Sequence, residues 1–154
     1  MSFKIQDVLS NHQFLAGMDM RHVEVLASCS SMASFSSGEY IFRQGQKAER
    51  FYLIRSGQVD VEAFSAAGGP VILQSLKDGD VLGWSWLMPP YEWRFDARVV
   101  EPTEVVILNA KDLLGLFAKN HELGYELMKR FLIVIAERLE AERLQMVSLY
   151  GAHS

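Results

Sequence analysis

The chain has 154 residues, of which 49% are hydrophobic, and its formal net charge at neutral pH is -4. These values predict one ordered globular domain over residues 1–154 and argue against nucleic-acid binding, which needs a basic surface to neutralise phosphates. The longest apolar run, Phe131–Ala136, is far shorter than the roughly 20 residues of a membrane-spanning helix. The N-terminus lacks an apolar signal sequence and Cys29 is the single cysteine, so we predict a cytoplasmic protein without disulfides or membrane contact.

The predicted fold is mainly β with flanking helices. Residues 1–32 are predicted to form short helices, with Asp19 as the N-cap of one that Ser30 and Ser31 interrupt. Residues 33–109 are predicted to form an antiparallel β-roll of the jelly-roll type, because apolar and polar residues alternate between glycine turns. The alternating apolar positions are Tyr40, Phe42, Phe51, Leu53, Val59 and Val61. Residues 66–70 are predicted to be an exposed hairpin tip.

The helical pattern returns in residues 110–149. It predicts a short helix over Lys111–Ala118 and a long C-terminal helix over Glu122–Leu149. Apolar residues of the long helix recur at spacings of three and four, as in a coiled-coil seam, with Glu142 as the one polar break: Met128, Leu132, Ile135, Leu139, Met146 and Leu149. A second apolar set lies on another face: Leu127, Phe131 and Val134. Two faces favour a homodimer through this helix, and the alternative is a single wide stripe packed within the monomer.

The glycine-punctuated segments 38–61 and 76–100 carry a specific arrangement of motifs. Gly-x6-Gly begins at Gly38, Phe-Tyr-x-Ile-x-x-Gly-x-Val begins at Phe51, and a Gly-Asp turn precedes Leu82-Gly83. In this order the motifs resemble the cyclic-nucleotide-binding domain of the Crp/Fnr regulators, over residues 20–148. The resemblance implies a β-roll, a non-enzymatic ligand-sensing role in signal transduction, and a cyclic nucleotide or another small anionic ligand.

The resemblance also implies where the ligand binds. In the family a phosphate is held by backbone amides at the start of a short helical turn and by an arginine. These features match Gly83, the turn beginning at Ser85, and Arg94, which is our candidate anion-binding residue. The family's long helix offers polar groups to the base, and Glu142 is the candidate here. We call residues 83–95 the cassette.

The cassette departs from the family's pattern in ways that predict a degenerate nucleotide pocket. Trp84 stands where the family has a ribose-binding glutamate, and Phe95 stands where it has a small hydroxyl residue. Asp96 is predicted to share a strand face with Arg94 and to neutralise it. The cassette is also rich in aromatic residues: Trp84, Trp86, Tyr91, Trp93 and Phe95.

Three interpretations of the cassette therefore stay open. The cyclic-nucleotide site survives in altered form, or the aromatic side chains fill the pocket of a structural or interaction protein. In the third interpretation the pocket takes a flat apolar ligand that bears an acid group.

The sequence carries no catalytic motif, and no cofactor or metal is predicted. The four histidines, which lack the spacing of metal ligands, are His12, His22, His121 and His153. None of them lies in the predicted β-region, residues 33–109, and this argues against a metal-binding cupin. After Leu149 the chain leaves no room for the helix-turn-helix domain that family transcription factors carry. We therefore expect no DNA binding by this chain alone, as a free-standing module or as a fragment of a longer regulator.

Overall fold

A computed structural model describes residues 4–151, with side chains as far as Ser148. The predicted seam position Leu149 and the histidine His153 lie outside the described side chains. The described residues form two compact units, one up to Leu116 and one from Phe117 onward. Among the described helices, none combines the length and the apolar character needed to cross a lipid bilayer.

The first unit begins with short helices, as predicted. Helix α1 spans Ile5–Asn11, a single 3-10 turn spans Gln13–Leu15, and α2 spans Met20–Ala27. The side chain of Asp19 accepts a hydrogen bond of 2.9 Å from the backbone N–H of Arg21, at the start of α2. The predicted N-cap is therefore confirmed, because this bond satisfies one of the free amides of the first helical turn.

The strands that follow confirm the predicted fold class. They are β1 (Ser30–Phe35), β2 (Tyr40–Phe42), β3 (Arg50–Ser65), β4 (Gly69–Lys77), β5 (Val81–Leu82) and β6 (Asp96–Asn109). All described pairs are antiparallel, in the order β1-β6-β3-β4, with β2 also paired to β6 and β5 to β3. Strand β1 begins inside the segment predicted as helical, because Ser30 opposite Leu108 extends the ladder on β6.

Buried side chains of β3 and β6 build the core of this unit. Nine residues of these strands are at most 1% exposed: Phe51, Leu53, Ile54, Val59, Ala97, Val99, Val105, Val106 and Leu108. Gly57 interrupts β3 with φ +115°, and a Cβ there would lie 2.6 Å from the carbonyl oxygen of Pro102. A glycine is therefore required where β3 and β6 approach each other most closely.

The two predicted C-terminal helices are present. Helix α3 spans Ala110–Lys119 and α4 spans His121–Gly151. In α4 Leu127 and Phe131 of the second predicted set are at most 1% exposed, whereas Leu132, Leu139 and Met146 of the predicted seam are 67%, 48% and 55% exposed. Met128, Val134 and Ile135 are half-buried, so the two predicted sets do not separate completely.

Candidate functional site

The cassette begins with a tight turn that follows β5. Gly83 has φ +93°, and Ser85–Leu87 form one 3-10 turn, closed by a 3.0 Å hydrogen bond from the N–H of Leu87 to the carbonyl of Trp84. The predicted short helical turn is thus present. Trp86 lies within it, is 2% exposed, and stacks on Phe51 with ring centroids 5.3 Å apart. This stack fixes the turn against the core of the roll.

The end of the cassette is tied to the loop between β2 and β3. The N–H of Gly45 donates to the carbonyl of Trp93 at 2.8 Å, and the N–H of Trp93 donates to the carbonyl of Gln46 at 2.9 Å. A third bond of 2.7 Å runs from the N–H of Ala48 to the carbonyl of Tyr91. Tyr91 itself has φ +58°, an uncommon backbone conformation for a bulky residue. These bonds set the direction in which the Trp93 side chain points.

The indole of Trp93 lies directly against Gly83. A Cβ built on Gly83 would be 2.5 Å from Cη2 and 2.7 Å from Cζ3 of that ring, closer than real Cβ contacts come. Trp93 is 5% exposed, and its ring stacks on Phe42 with centroids 3.7 Å apart and an interplanar angle of 6°. The indole therefore occupies the space beside the glycine at which the sequence resemblance places a phosphate.

Arg94, unlike the buried Trp93 beside it, is exposed to solvent. It lies just before β6, and within residues 4–151 no described hydrogen bond or ion pair involves its side chain. The expected competitor Asp96 is engaged elsewhere: its Oδ1 accepts from the backbone N–H of Gln44 at 2.7 Å and lies 3.4 Å from Nε of Arg43. Arg94 is therefore accessible to a solvent anion, and Asp96 is bound to partners 52 and 53 positions away.

The remaining predicted residues are dispersed. Trp84 and Ser85 are half-buried beside Gly83, whereas the ring of Phe95 is 42% exposed. Glu142 is exposed on α4, in the second compact unit. The described structure thus brings Gly83, Trp84 and Ser85 together and turns Arg94 and Phe95 toward solvent.

A family model described as the cyclic nucleotide-binding domain matches residues 32–120. The chain belongs to this family. An anaerobic regulatory protein of Bacillus subtilis (strain 168) is 30% identical over 107 residues, which are 69% of this chain and 45% of that relative. The chain thus spans less than half the length of this relative, and the family assignment concerns the sensing domain rather than the whole regulator.

Two solved structures extend the comparison. The catabolite activator protein of Thermus thermophilus is 25% identical, with a TM-score of 0.72, over 90% of this chain and 63% of that one. The regulatory subunit of a cAMP-independent protein kinase A from Trypanosoma cruzi, bound to guanosine, is 26% identical with a TM-score of 0.72. That match covers 95% of this chain and 50% of the trypanosome chain.

Next to the cassette of this family member lies a groove that sequence reasoning missed. Its volume is about 450 Å³, and its walls include the stacked pair Phe42 and Trp93 together with Lys47 and Arg50. Burial raises the pKa of Tyr52, which also lines the groove, while Arg50 acts in the opposite direction. In the sequence, Lys47 and Arg50 follow shortly after Gly45, the second glycine of the Gly-x6-Gly motif, and this position is the signal by which they could be found.

A buried charge cluster on β3 and β6 was also not predicted. Asp60 and Glu62 are 5% and 4% exposed, and Nε of Arg98 donates to Glu62 at 2.8 Å. The hydrogen bond to Glu62 raises the pKa of Arg98, and Ser75 donates a 2.7 Å hydrogen bond to Asp60. In the sequence, the signal for such a cluster is that Asp60 and Glu62 alternate with valines along β3. The hydrogen bonds within the cluster satisfy its buried charges, so its role is structural.

Other reactive chemistry is sparse in the described residues. Residues 4–151 contain no group of three histidine, cysteine or acidic side chains close enough to hold a metal ion. Burial raises the pKa of the Cys29 thiol to about 11, so this thiol stays protonated at neutral pH. Its Sγ lies 3.3 Å from the carbonyl of Leu26. A protonated thiol is a poor nucleophile, so Cys29 lacks the thiolate character of a reactive cysteine.

Proposed function

We propose that the chain is a non-enzymatic ligand-sensing module with a degenerate nucleotide pocket, one that binds cyclic nucleotides weakly because Trp93 fills the phosphate position. The observation that carries this proposal is the contact between the Trp93 ring and Gly83, where an added Cβ would lie 2.5 Å from Cη2. An anion held by a helix N-terminus must come within hydrogen-bond distance of the backbone, and we infer that the indole packed on Gly83 obstructs this approach.

Displacement of the ring has a large cost. An indole buries about 200 Å² of surface. At about 25 cal/mol per Å², exposing it again costs on the order of 5 kcal/mol. Trp93 is 5% exposed and fully stacked on Phe42, so most of this cost applies here. A ligand that must first move the ring has its affinity lowered by about three orders of magnitude.

Trp84 also lowers the affinity for cyclic nucleotides under this proposal. The family's ribose acceptor is a carboxylate, and the half-buried Trp84 offers only an N–H donor at that position. Loss of a charged hydrogen bond to the ribose lowers affinity by about 1.5–3 kcal/mol. The trypanosome relative, which is cAMP-independent and bound to guanosine, supports the idea that a domain of this family accepts a ligand without a phosphate.

The proposed ligand is therefore a small flat molecule without a cyclic phosphate. Arg94 is proposed as the residue that binds an acidic group of this ligand, because its side chain is exposed and has no described ion pair. The cytoplasm remains the proposed location.

The output is proposed to pass through a homodimer formed by α4. Along this helix the seam residues Leu132, Leu139 and Met146 are 67%, 48% and 55% exposed. Isolated exposed apolar residues are common, but a stripe at spacings of three and four is typical of helix–helix contacts. Ligand binding would shift the dimer only by binding its conformations with different affinities.

The alternative function is an interaction protein whose pocket is filled permanently. The stacks of Trp86 on Phe51 and of Trp93 on Phe42 favour it, since each buries a cassette ring against a strand of the roll. The two functions differ in whether any small molecule binds saturably at the cassette.

Titration calorimetry with cAMP, cGMP and guanosine, paralleled by tryptophan fluorescence, tests the proposal. We expect cAMP and cGMP to show no saturable binding below about 1 mM, where the binding free energy is only about 4 kcal/mol. Saturable binding of guanosine would support a phosphate-free ligand, and the absence of binding by all three would favour the interaction protein. Binding of either cyclic nucleotide at micromolar concentration by the wild-type chain would overturn the proposal.

A further inference from the structure

The groove next to the cassette, which we call the cationic groove, has a firmly bonded backbone. Its lining residues are Ile41, Phe42, Gln46, Lys47, Glu49, Arg50, Tyr52 and Trp93. Part of this lining comes from the loop over residues 43–49. The N–H of Gln46 donates to the carbonyl of Arg43 at 3.2 Å, and the carbonyl of Glu49 accepts from the N–H of Ala110 at 2.9 Å. The three bonds to the end of the cassette, described above, hold the middle of the loop. A fixed backbone reduces the conformational cost of binding a ligand.

The charge of the cationic groove is opposite in sign to that of the whole chain. Its lining carries two cations, Lys47 and Arg50, and one acid, Glu49, whereas the net charge of the chain is -4. All three residues are exposed, and none takes part in an ion pair described within residues 4–151. Glu92, which pairs with Lys47 through the backbone, does not line the groove. An anion from solution can therefore interact with both cations.

Two polar neighbours of these cations are held as hydrogen-bond donors. Oε1 of Gln46 accepts from the backbone N–H of Arg43 at 2.9 Å, so the amide nitrogen of Gln46 keeps its two N–H groups for another acceptor. Tyr52 is 5% exposed, and burial raises the pKa of its phenol while the charge and hydrogen bond of Arg50 oppose the rise. The phenol therefore stays protonated at neutral pH, and Arg50 lies within reach of this buried side of the groove.

This set of donors favours a phosphate monoester as the ligand. Such a group carries close to two negative charges and three strong acceptor oxygens, which match two cations and an amide. A single carboxylate has one charge and two oxygens. The volume of about 450 Å³ also accommodates an organic group beside the phosphate, since organic ligands occupy pockets of roughly 300–1,000 Å³. The stacked rings of Phe42 and Trp93 supply an apolar surface for that group.

We propose that the cationic groove binds a phosphate monoester of a small organic group, with Lys47 and Arg50 as the residues that hold the phosphate. This site is distinct from the anion site proposed for the cassette, because neither Gly83 nor Arg94 lines the groove. The proposal does not depend on what the cassette binds. The two sites share Trp93, whose ring packs against Gly83 and also lines the groove.

Titration calorimetry of the full chain with phenyl phosphate at low salt tests the proposal, with inorganic phosphate and phenol as separate arms. We expect saturable binding of phenyl phosphate, weaker binding of inorganic phosphate and no binding of phenol. Lys47→Gln and Arg50→Gln should each weaken the binding of phenyl phosphate at least about tenfold, because each removes a charged hydrogen bond. Glu49→Gln should strengthen it, because the carboxylate repels the phosphate.

Lys77→Gln is the matched control for these variants. It removes the same charge from an exposed lysine on β4 that does not line the groove, so the affinity for phenyl phosphate should not change. Circular dichroism checks that each variant is folded. The proposal is overturned if phenyl phosphate shows no saturable binding below roughly 1 mM, if Lys47→Gln and Arg50→Gln bind it like the wild type, or if Lys77→Gln weakens it equally. Binding that is lost in Arg94→Ala and kept in both groove variants would assign the anion to the cassette and also overturn the proposal.

Discussion

Replacement of Trp93 by alanine is the most direct test of the degenerate pocket. The indole is 5% exposed and stacks on Phe42 at 3.7 Å, so the substitution removes a fully packed side chain. Large-to-small changes of this kind cost about 3–5 kcal/mol of unfolding free energy. The lost aromatic pair is included in that figure. A domain of ordinary stability, about 5–15 kcal/mol, retains about 0–12 kcal/mol after such a loss, so the folded state of the variant must be confirmed by circular dichroism.

The same substitution should increase affinity for cyclic nucleotides. Under the proposed function a phosphate that approaches Gly83 in the wild type must displace the ring, at a cost of on the order of 4–5 kcal/mol, or a thousandfold or more in affinity. Trp93→Ala removes this cost but leaves Trp84 in place of the ribose acceptor. We therefore expect the affinity for cAMP and cGMP to rise at least about a hundredfold, as measured by calorimetry on folded protein at low temperature.

Trp86→Ala is the matched control for this experiment. Trp86 lies in the same cassette, is 2% exposed, and stacks on Phe51 instead of contacting Gly83. It should lose a similar amount of stability without any gain in cyclic-nucleotide affinity. Equal affinity in wild type and in folded Trp93→Ala would refute the reasoning, and so would an equal gain in Trp86→Ala, which would point to general loosening of the cassette.

Three further predictions concern other parts of the chain. In the Trp93→Ala background, where cAMP is expected to bind, Arg94→Ala should abolish that binding in calorimetry without lowering the melting temperature further, because the exposed Arg94 has no described ion pair. Retained binding would exclude Arg94 as the anion residue. Leu132→Glu combined with Leu139→Glu should give a monomer in sedimentation velocity. A dimer that is unchanged by these substitutions would show that α4 does not form the interface. Burial lowers the pKa of His12 below its usual 6.5, so the free energy of unfolding in urea should decline as the pH falls below that value. His12→Gln should make this free energy less dependent on pH. An unchanged pH dependence in His12→Gln would assign the effect to another group.

The sequence predicts the fold well because the fold depends on local and repeated signals. Glycine turns and period-two alternation mark the strands, and Asp19 marks the start of α2 by a rule that needs only neighbouring residues. The turn at Ser85–Leu87 and the extent of α4 follow for the same reason. The first residue of β1 was placed too late, because its start depends on pairing with Leu108, a residue distant in the sequence.

The site was harder to predict because its geometry depends on contacts between distant residues. Alternation along β6 suggested that Asp96 faces Arg94, but Asp96 instead binds Arg43 and the backbone of Gln44, from the loop after β2. Composition alone shows that the cassette is aromatic and does not show which ring points inward. That choice follows from the backbone bonds that join Trp93 to Gly45 and Gln46.

Gly83 illustrates why a glycine that matches a family motif does not by itself establish the motif's chemistry. In the resemblance described above, this glycine lies beside the backbone amides that would hold a phosphate. In this chain the missing Cβ makes room for Cη2 and Cζ3 of Trp93, and φ is +93°, so the fold still requires a glycine here. A side chain at position 83 would clash with the indole whether or not any nucleotide binds. The presence of this glycine therefore supports the fold and the family, and the residue packed against it decides between a phosphate site and a filled pocket.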